Sequence, residues 1–515
     1  MDTTELKVII AGAGIGGLCA AISLELAGAD YTVLEQSPAD DPSTKDSYGG
    51  AVQVGPTALH FLRQLGIYEE IQHISKPVSG VSMNEHDMSY VGRIDLTGYK
   101  ERHDTPQFCD SVMARSQLHT LLRQRVPPKR IVHKMILGIM QDATKVTVRC
   151  SDGTIFEGDI LIAADGAFSN VRHGLYWTLD EKKQLPKADA VPMSVDLCIL
   201  SGRTKPLEPS KYSVLMDSMS EIQSVQAPDQ PYTVWFIPML DNRIAWDITH
   251  DIPKTAIRQG EASRVYQWPP HDIEQTLDVV KKLECPYGGL VGDLLETTEV
   301  ESMFMHMTEE RLCETWHDGR VVLLGDDCTS GGLGTLHSMP QADLQSDSME
   351  DITGMFKAYR ERRAVSAKAA VEQSGVLRQV FTGKGRAASL RRSVVFNYMP
   401  ERVRNMVDDK RNEYRPQLSF LPQVKDRGTV VFNGSRPPSR RSSSIMSTSS
   451  PTTTEATAAA EAPIANGSSA TLLSDEPKEL GPEISKDSRP VSDVSKSLSG
   501  LMDASLGPKR TTAIF

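Results

Sequence analysis

Lys7-Val8-Ile9-Ile10-Ala11-Gly12-Ala13-Gly14-Ile15-Gly16-Gly17-Leu18-Cys19-Ala20-Ala21 decides the fold of this 515-residue chain. A short apolar run, Val8 to Ala11, meets a Gly12-x-Gly14-x-x-Gly17 turn, and good helix formers at helical spacing continue to Leu26. The pattern is strand, tight turn, helix. Gly12 makes the turn, Gly14 lets backbone approach a pyrophosphate, and Gly17 lets the helix sit close against the strand. The phosphates then lie at a helix N-terminus, where unpaired amides and the macrodipole favour negative charge. A second apolar strand, Tyr31 to Leu34, ends in Glu35, at the distance along the chain where an adenosine ribose needs an acceptor. A dinucleotide site is expected here.

Composition sets the outer limits. With 39% hydrophobic and 24% charged residues the chain is globular in character and long enough for a large two-domain core. A net charge of −11 removes the electrostatic case for binding nucleic acid. Seven cysteines, an odd number without a CxxC pair, read as reduced thiols in a reducing compartment. The polar start leads straight into the first strand, with no leader-like pattern, and no run of about eighteen apolar residues follows. A cytoplasmic protein is expected.

Residues 37 to 47 are polar and turn-rich and read as a surface excursion. The chain returns at Gly49-Gly50 and enters a helix in which Leu59, Leu62 and Leu65 recur before Gly66. The dense glycines fit either backbone lying against something flat or a hairpin that needs positive φ. Arg115 opens another helix, where a cation is unfavourable, so it is either partnered by an anionic or polar group or an ordinary surface arginine. From Ile136 to Gly158 the alternation around Asp152-Gly153 predicts an antiparallel hairpin that serves as scaffold. Ile160 to Ala164 then forms another buried strand running into Asp165-Gly166, with Ser169 and Arg172 beyond.

Taken with the strand that ends in Gly325-Asp326, these motifs resemble the class A FAD-dependent monooxygenases of the para-hydroxybenzoate hydroxylase fold, most of all those of fungal secondary metabolism. The resemblance implies an α/β fold in which a Rossmann-like FAD-binding domain is interleaved with a β-sheet substrate domain. It assigns Gly12, Gly14, Gly17 and Glu35 to the adenosine and pyrophosphate end of FAD, and Arg115 to the flavin side. Asp165 and Gly166 are assigned to a turn tied to the pyrophosphate and NAD(P)H use, and Asp326 to the ribityl chain. Gly49 and Gly50, and the later Gly332 and Gly334, complete the cofactor set. The implied reaction uses NAD(P)H and O2 and passes through a flavin C4a-hydroperoxide, which epoxidises or hydroxylates a small apolar substrate such as a prenylated or aromatic intermediate. The cofactor carries that chemistry, so no catalytic side chain is assigned.

No second GxGxxG follows a strand, in keeping with transient NAD(P)H binding. Between Leu175 and Met307, β-like runs suggest a sheet over a substrate pocket; Trp235, Phe236 and Trp246 are either core or substrate contacts. No metal-ligand cluster or Ser-His-Asp order stands out. The chain departs from the family after Met339: Pro340 and a polar run stand where an apolar helix belongs, and about a dozen residues are short of the family's pattern. That departure keeps open a flavin-binding protein impaired in turnover, alongside a flavin oxidase or dehydrogenase.

A helix is expected from Met355 to Arg378, marked by Phe356, Tyr359, Val365 and Ala369, with a solvated basic face of Arg360, Arg362, Arg363 and Lys368. Residues 383 to 404 mix arginines with Leu390, Val394, Val395, Phe396, Tyr398 and Met399, which leaves loose membrane contact open. The expected domains are 5–175 and 308–432 for the two parts of the FAD-binding domain, 176–307 for the substrate sheet, and 433–515 for a disordered tail rich in Ser, Thr, Pro and Ala.

Overall fold

Strand β1 (Lys7–Ala11) is apolar from Val8 onward because both of its faces are covered there, while Lys7 at its start is exposed. Val8 and Ile10 enter a core with Leu18 and Ile22 of the helix Ile15–Ala27, while Ile9 and Ala11 enter a second core with Val146, Leu175 and Trp316. The computed structural model describes residues 6–38, 50–97, 109–191, 195–226, 232–251, 270–298, 302–309, 311–325, 329–330, 349–381, 383, 385–411, 417–418, 420–422 and 424. These belong to one unit of the chain, Met1–Gly434 with Val494–Phe515; the other, Ser435–Asp493, lies outside the described residues, as does all of the expected tail.

Following β1 come β2 (Asp30–Glu35), β3 (Ala51–Val54), β4 (Lys76–Glu85), β5 (Tyr90–Asp95), β6 (Ser111–Ala114) and β7 (Ile131–His133). The hairpin region holds β8 (Ile136–Gln141), β9 (Val146–Cys150) and β10 (Ile155–Gly158), and β11 (Ile160–Ala163) follows at once. The middle of the chain supplies β12 (Val195–Arg203), β13 (Ser220–Gln226), β14 (Tyr232–Pro238), β15 (Ile244–Asp251) and β16 (Phe304–Glu309). Last come β17 (Arg311–Leu312), β18 (His317–Asp318), β19 (Val321–Leu323) and β20 (Thr329–Ser330).

Among the described residues, one sheet runs β18-β19-β11-β1-β2-β7, parallel except for β18. In this sheet Ala11 stands level with Leu34 and Ala163, and Ala163 with Leu323. The C-terminal ends of β1, β2, β11 and β19 therefore open on one edge, the side on which open parallel sheets bind ligands. A larger sheet runs β16-β12-β15-β14-β13-β4-β6-β3, with β5 on β4. It crosses the boundary expected at 175/176: β3 to β6 come from before it, and β13 pairs in parallel with β4 across about 140 residues. The expected hairpin is present as β9 and β10, with β8 added on β9.

Two expectations change with tertiary contact. The long helix runs Met349–Phe381, and its inner stripe is Ile352, Phe356, Arg363, Ala367 and Ser374, at alternating gaps of four and seven. Val365 falls off that stripe and is 76% exposed, and Ala369 is exposed too. Arg363, expected on the solvated face, is buried at 3% and donates from Nη1 to Ser366 Oγ at 2.7 Å. Of the segment open to membrane contact, Phe396 is buried against Phe381 at 6.0 Å and Arg392 donates to the Gly383 carbonyl at 2.7 Å. Leu390, Val394 and Tyr398 are exposed. Among the described residues no helix is long and apolar enough to cross a membrane.

Candidate functional site: a dinucleotide groove and the sheet beside it

The three glycines of the fingerprint differ in what surrounds them. Gly12 has φ +93°, and a Cβ there would lie 2.4 Å from the Ala164 carbonyl oxygen and 2.9 Å from the Asp165 Cα. A Cβ on Gly17 would lie 2.0 Å from the Gly12 carbonyl oxygen. Those two close the turn and seat the helix. Gly14, at φ −68° and ψ 178°, meets nothing within 4 Å at the N-cap of Ile15–Ala27. The helix N-terminus thus faces open space at the one glycine that needs neither positive φ nor close packing. A pyrophosphate fits the chemistry there.

Glu35 ends β2 beside this turn. Its carboxylate accepts from the Ala13 amide at 2.6 Å and from the Ser37 amide at 2.9 Å. Asp165 is engaged differently: it accepts from Ser169 Oγ at 2.7 Å and from the Asn170 amide at 2.8 Å, at the start of the helix Asn170–Glu181. Ser169 in turn caps that helix by accepting from the Arg172 amide at 2.9 Å. Gly166 takes φ +88°, which a side chain would resist. The Asp165-Gly166 turn is thereby shaped from within and presses directly on Gly12. The third strand end, β19, leads through Leu324 to Gly325, whose φ is +71°. Asp326, Gly332, Gly334 and Gly49 lie outside the described residues, as does the segment after Met339.

Gly50 and Arg115 are joined, the Arg115 amide donating to the Gly50 carbonyl at 3.1 Å. Arg115 opens the helix Arg115–Gln124, and the same helix carries two residues that sequence reading passed over. His119 Nε2 lies 2.8 Å from the Ala13 carbonyl, within the glycine turn. Burial pulls the Arg123 guanidinium below its ordinary value, and the charge of Glu35 opposes that fall. Arg115, His119 and Arg123 stand four apart, so one helix face turns toward the glycine turn and Glu35. That spacing was visible in the sequence; its target was not.

The larger sheet meets the groove at Gly50, where a Cβ would lie 3.5 Å from both Cβ and Oγ of Ser201 on β12. Ser201 Oγ donates to Asp247 Oδ1 on β15 at 2.6 Å. Trp235, Phe236 and Trp246 belong to the core: Trp246 Nε1 donates to Thr298 Oγ1 at 2.8 Å, and the Trp235 ring packs on Phe381 at 4.8 Å. The six described cysteines are buried and free of disulfides, and burial pushes the thiols of Cys19 and Cys198 up to about 12.

Residues 5–332 match the FAD binding domain family. The FAD-dependent monooxygenase esdpE of Penicillium shearii is 24% identical over 406 residues, covering 74% of this chain and 75% of that one. The FAD-dependent monooxygenase ctvC of Aspergillus terreus is 26% identical over 331 residues, covering 62% and 64%. Among solved structures, Klebsiella pneumoniae HpxO complexed with FAD and uric acid superposes with a TM-score of 0.57 at 19% identity, covering 79% of this chain and 96% of that one. The 2,6-dihydroxypyridine-3-hydroxylase of Arthrobacter nicotinovorans gives 0.54 at 18%, covering 74% and 94%. At such identities the structures speak to the fold alone. The chain belongs to the FAD binding domain family and, within it, to the oxidoreductases of the FAD-dependent monooxygenase class.

Proposed function

We propose that the protein uses NAD(P)H and O2 to epoxidise or hydroxylate a small apolar metabolite, a prenylated or aromatic intermediate, with FAD in the groove at the ends of β1, β11 and β19. The observation that carries this reading is the contrast among the fingerprint glycines: two are packed against backbone, and Gly14 alone faces open space at a helix N-terminus. FAD, when bound, supplies the redox chemistry and the activation of oxygen.

The rest falls to the chain's own residues. The amides beyond Gly14 receive the pyrophosphate, and Glu35 accepts from the adenosine ribose. His119 steadies the Ala13 carbonyl, so the turn holds its shape before the cofactor arrives. Gly50 and Arg115 border the flavin ring, and the Asp165-Gly166 turn packs beneath Gly12. Asp326, three residues beyond the end of β19, takes the ribityl hydroxyls. The larger sheet closes the ring side and keeps water from it, which strengthens each polar contact there.

The test is direct. The purified protein is expected to be yellow with flavin absorbance and to consume NADPH faster when a suitable prenylated or aromatic compound is added. A colourless protein that takes up no added FAD would end the reading, and flavin without substrate-stimulated NADPH consumption would end its catalytic part.

A further inference from the structure

Helix Gly385–Ser393 runs on through a π-helical turn, Val394–Tyr398, and the rod so formed has two unlike sides. Its inner side is Ala388, Arg392 and Phe396, spaced by four. Phe396 lies against Gly92 of β5, where a Cβ would stand 2.3 Å from its own, and Arg392 donates to the carbonyls of Val380 and Gly383. The rod is thereby fixed to the larger sheet and to the end of the long helix. Its outer side is Leu390, Val394 and Tyr398, again spaced by four, with Leu390 67% and Tyr398 74% exposed. At Met399 the backbone turns extended, and helix Glu401–Arg411 begins two residues later. On that helix Val403, Met406 and Val407 form a second stripe, at spacings of three and four. All three are exposed, whereas Asn405 and Asp409 are half-buried. A helix that turns polar positions inward and an apolar stripe outward is the reverse of what water selects, and such apolar surface marks a place of contact.

Charge says what covers the two stripes. Residues 383–411 carry eight lysines and arginines against three acids, a net +5 within a chain of −11, so the remainder stands at −16. Arg391, Arg402 and Arg404 are exposed among the apolar residues. We propose that this face docks on the surface of an anionic lipid bilayer, the six outward apolar side chains entering the boundary between headgroups and acyl chains. The arginines pair with the anionic headgroups while their stems lie along the apolar layer. The acidic remainder is repelled by the same surface, so attraction is confined to one face and orients the molecule. A second copy of the chain is a poor occupant, because a two-fold contact through this face sets its excess positive charge against itself. The contact is peripheral, since among the described residues no helix is long and apolar enough to cross a membrane. This inference goes beyond the reaction proposed above and does not depend on it. An apolar compound partitions into the same bilayer, so docking brings the protein to where such compounds concentrate.

The experiment mixes the full-length protein with vesicles of phosphatidylcholine alone, or of phosphatidylcholine and phosphatidylserine at about 3:1, and reads bound protein by co-sedimentation. At about 0.1 M salt wild type is expected to bind the mixed vesicles about 100-fold more tightly than the neutral ones, and about 0.5 M salt is expected to remove most of that advantage. Each arginine near such a surface is worth about fivefold in affinity, so the triple variant Arg391→Gln, Arg402→Gln, Arg404→Gln is expected to lose about 100-fold on the mixed vesicles. Met406→Asp, which sets a negative charge in the outer stripe, is expected to weaken binding by tenfold or more. Every side chain changed is exposed, so melting curves are expected to match wild type. Equal binding of wild type to the two kinds of vesicle, or a triple variant as tight as wild type on the mixed ones, overturns the proposal. So does a dimer in light scattering that Met406→Asp dissociates while neither kind of vesicle is bound, a result that gives the face to a second copy of the chain.

Discussion

At the residue scale, Gly12 and Gly14 look alike in sequence and differ in physics. Gly12→Ala would need a left-handed φ and place a Cβ 2.4 Å from a carbonyl oxygen, so it is expected to destabilise the protein by about 2 kcal/mol or more. Gly14→Ala has room and an ordinary φ, so its cost as an N-cap change is about 1 kcal/mol or less. It nonetheless puts a methyl group where the pyrophosphate approaches. Melting curves and FAD retention measured side by side should show Gly12→Ala losing stability, and Gly14→Ala keeping most of its stability while losing FAD by tenfold or more. Asp247 makes a second residue-scale prediction. Its carboxyl holds a proton to higher pH in the native state than in the unfolded chain, where the ordinary value is 3.8. Its contribution is therefore fully present below about pH 4, is lost as pH rises through about 6, and is constant above. Asp247→Asn should melt increasingly above wild type between pH 4 and 7, by an amount on the order of 2 to 3 kcal/mol at the plateau. A difference that does not change across that range would show that the native carboxyl titrates as it does in the unfolded chain.

At the element scale, the helix Arg115–Gln124 does more than pack. Its apolar side is buried through Leu118 and Leu122, and the four-residue spacing of Arg115, His119 and Arg123 turns a polar edge toward the glycine turn and Glu35. His119→Ala removes a bond to the Ala13 carbonyl, worth about 1 kcal/mol. FAD affinity, measured by fluorescence titration, should fall several-fold with little change in melting temperature. His119→Gln, which can still donate, should recover part of it. The long helix Met349–Phe381 teaches the opposite lesson. A sequence rich in Ala and Arg carries a weak stripe, and only the surfaces it crosses show that Arg363 turns inward and Val365 outward.

At the scale of the whole molecule, the order of the parallel sheet does the assembling. β11 lies between β1 and β19, so Gly12, Asp165 and Gly325, separated by some 150 residues at each step, come to neighbouring strand ends. Asp326→Ala is accordingly expected to lose FAD on gel filtration while the melting transition remains cooperative. Full retention of FAD would remove that residue from the site. The larger sheet pairs β4 with β13 and β12 with β15, and so carries Ser201, with Asp247 hydrogen-bonded to it, to Gly50.

The sequence by itself determined the strand, turn and helix of the fingerprint, the acid at the end of β2, the buried strand before Asp165 and the hairpin between. Each depends on φ preferences and apolar periodicity within about twenty residues, and such short-range signals survive without knowledge of the rest. Only the tertiary structure decided that β3 to β6 join the larger sheet, that the tryptophans belong to the core, that His119 reaches the glycine turn, and that an acid is hydrogen-bonded to the serine beside Gly50. Those facts rest on pairings between residues from 46 to about 140 apart, where strand register and packing choose the partners and no local pattern records them.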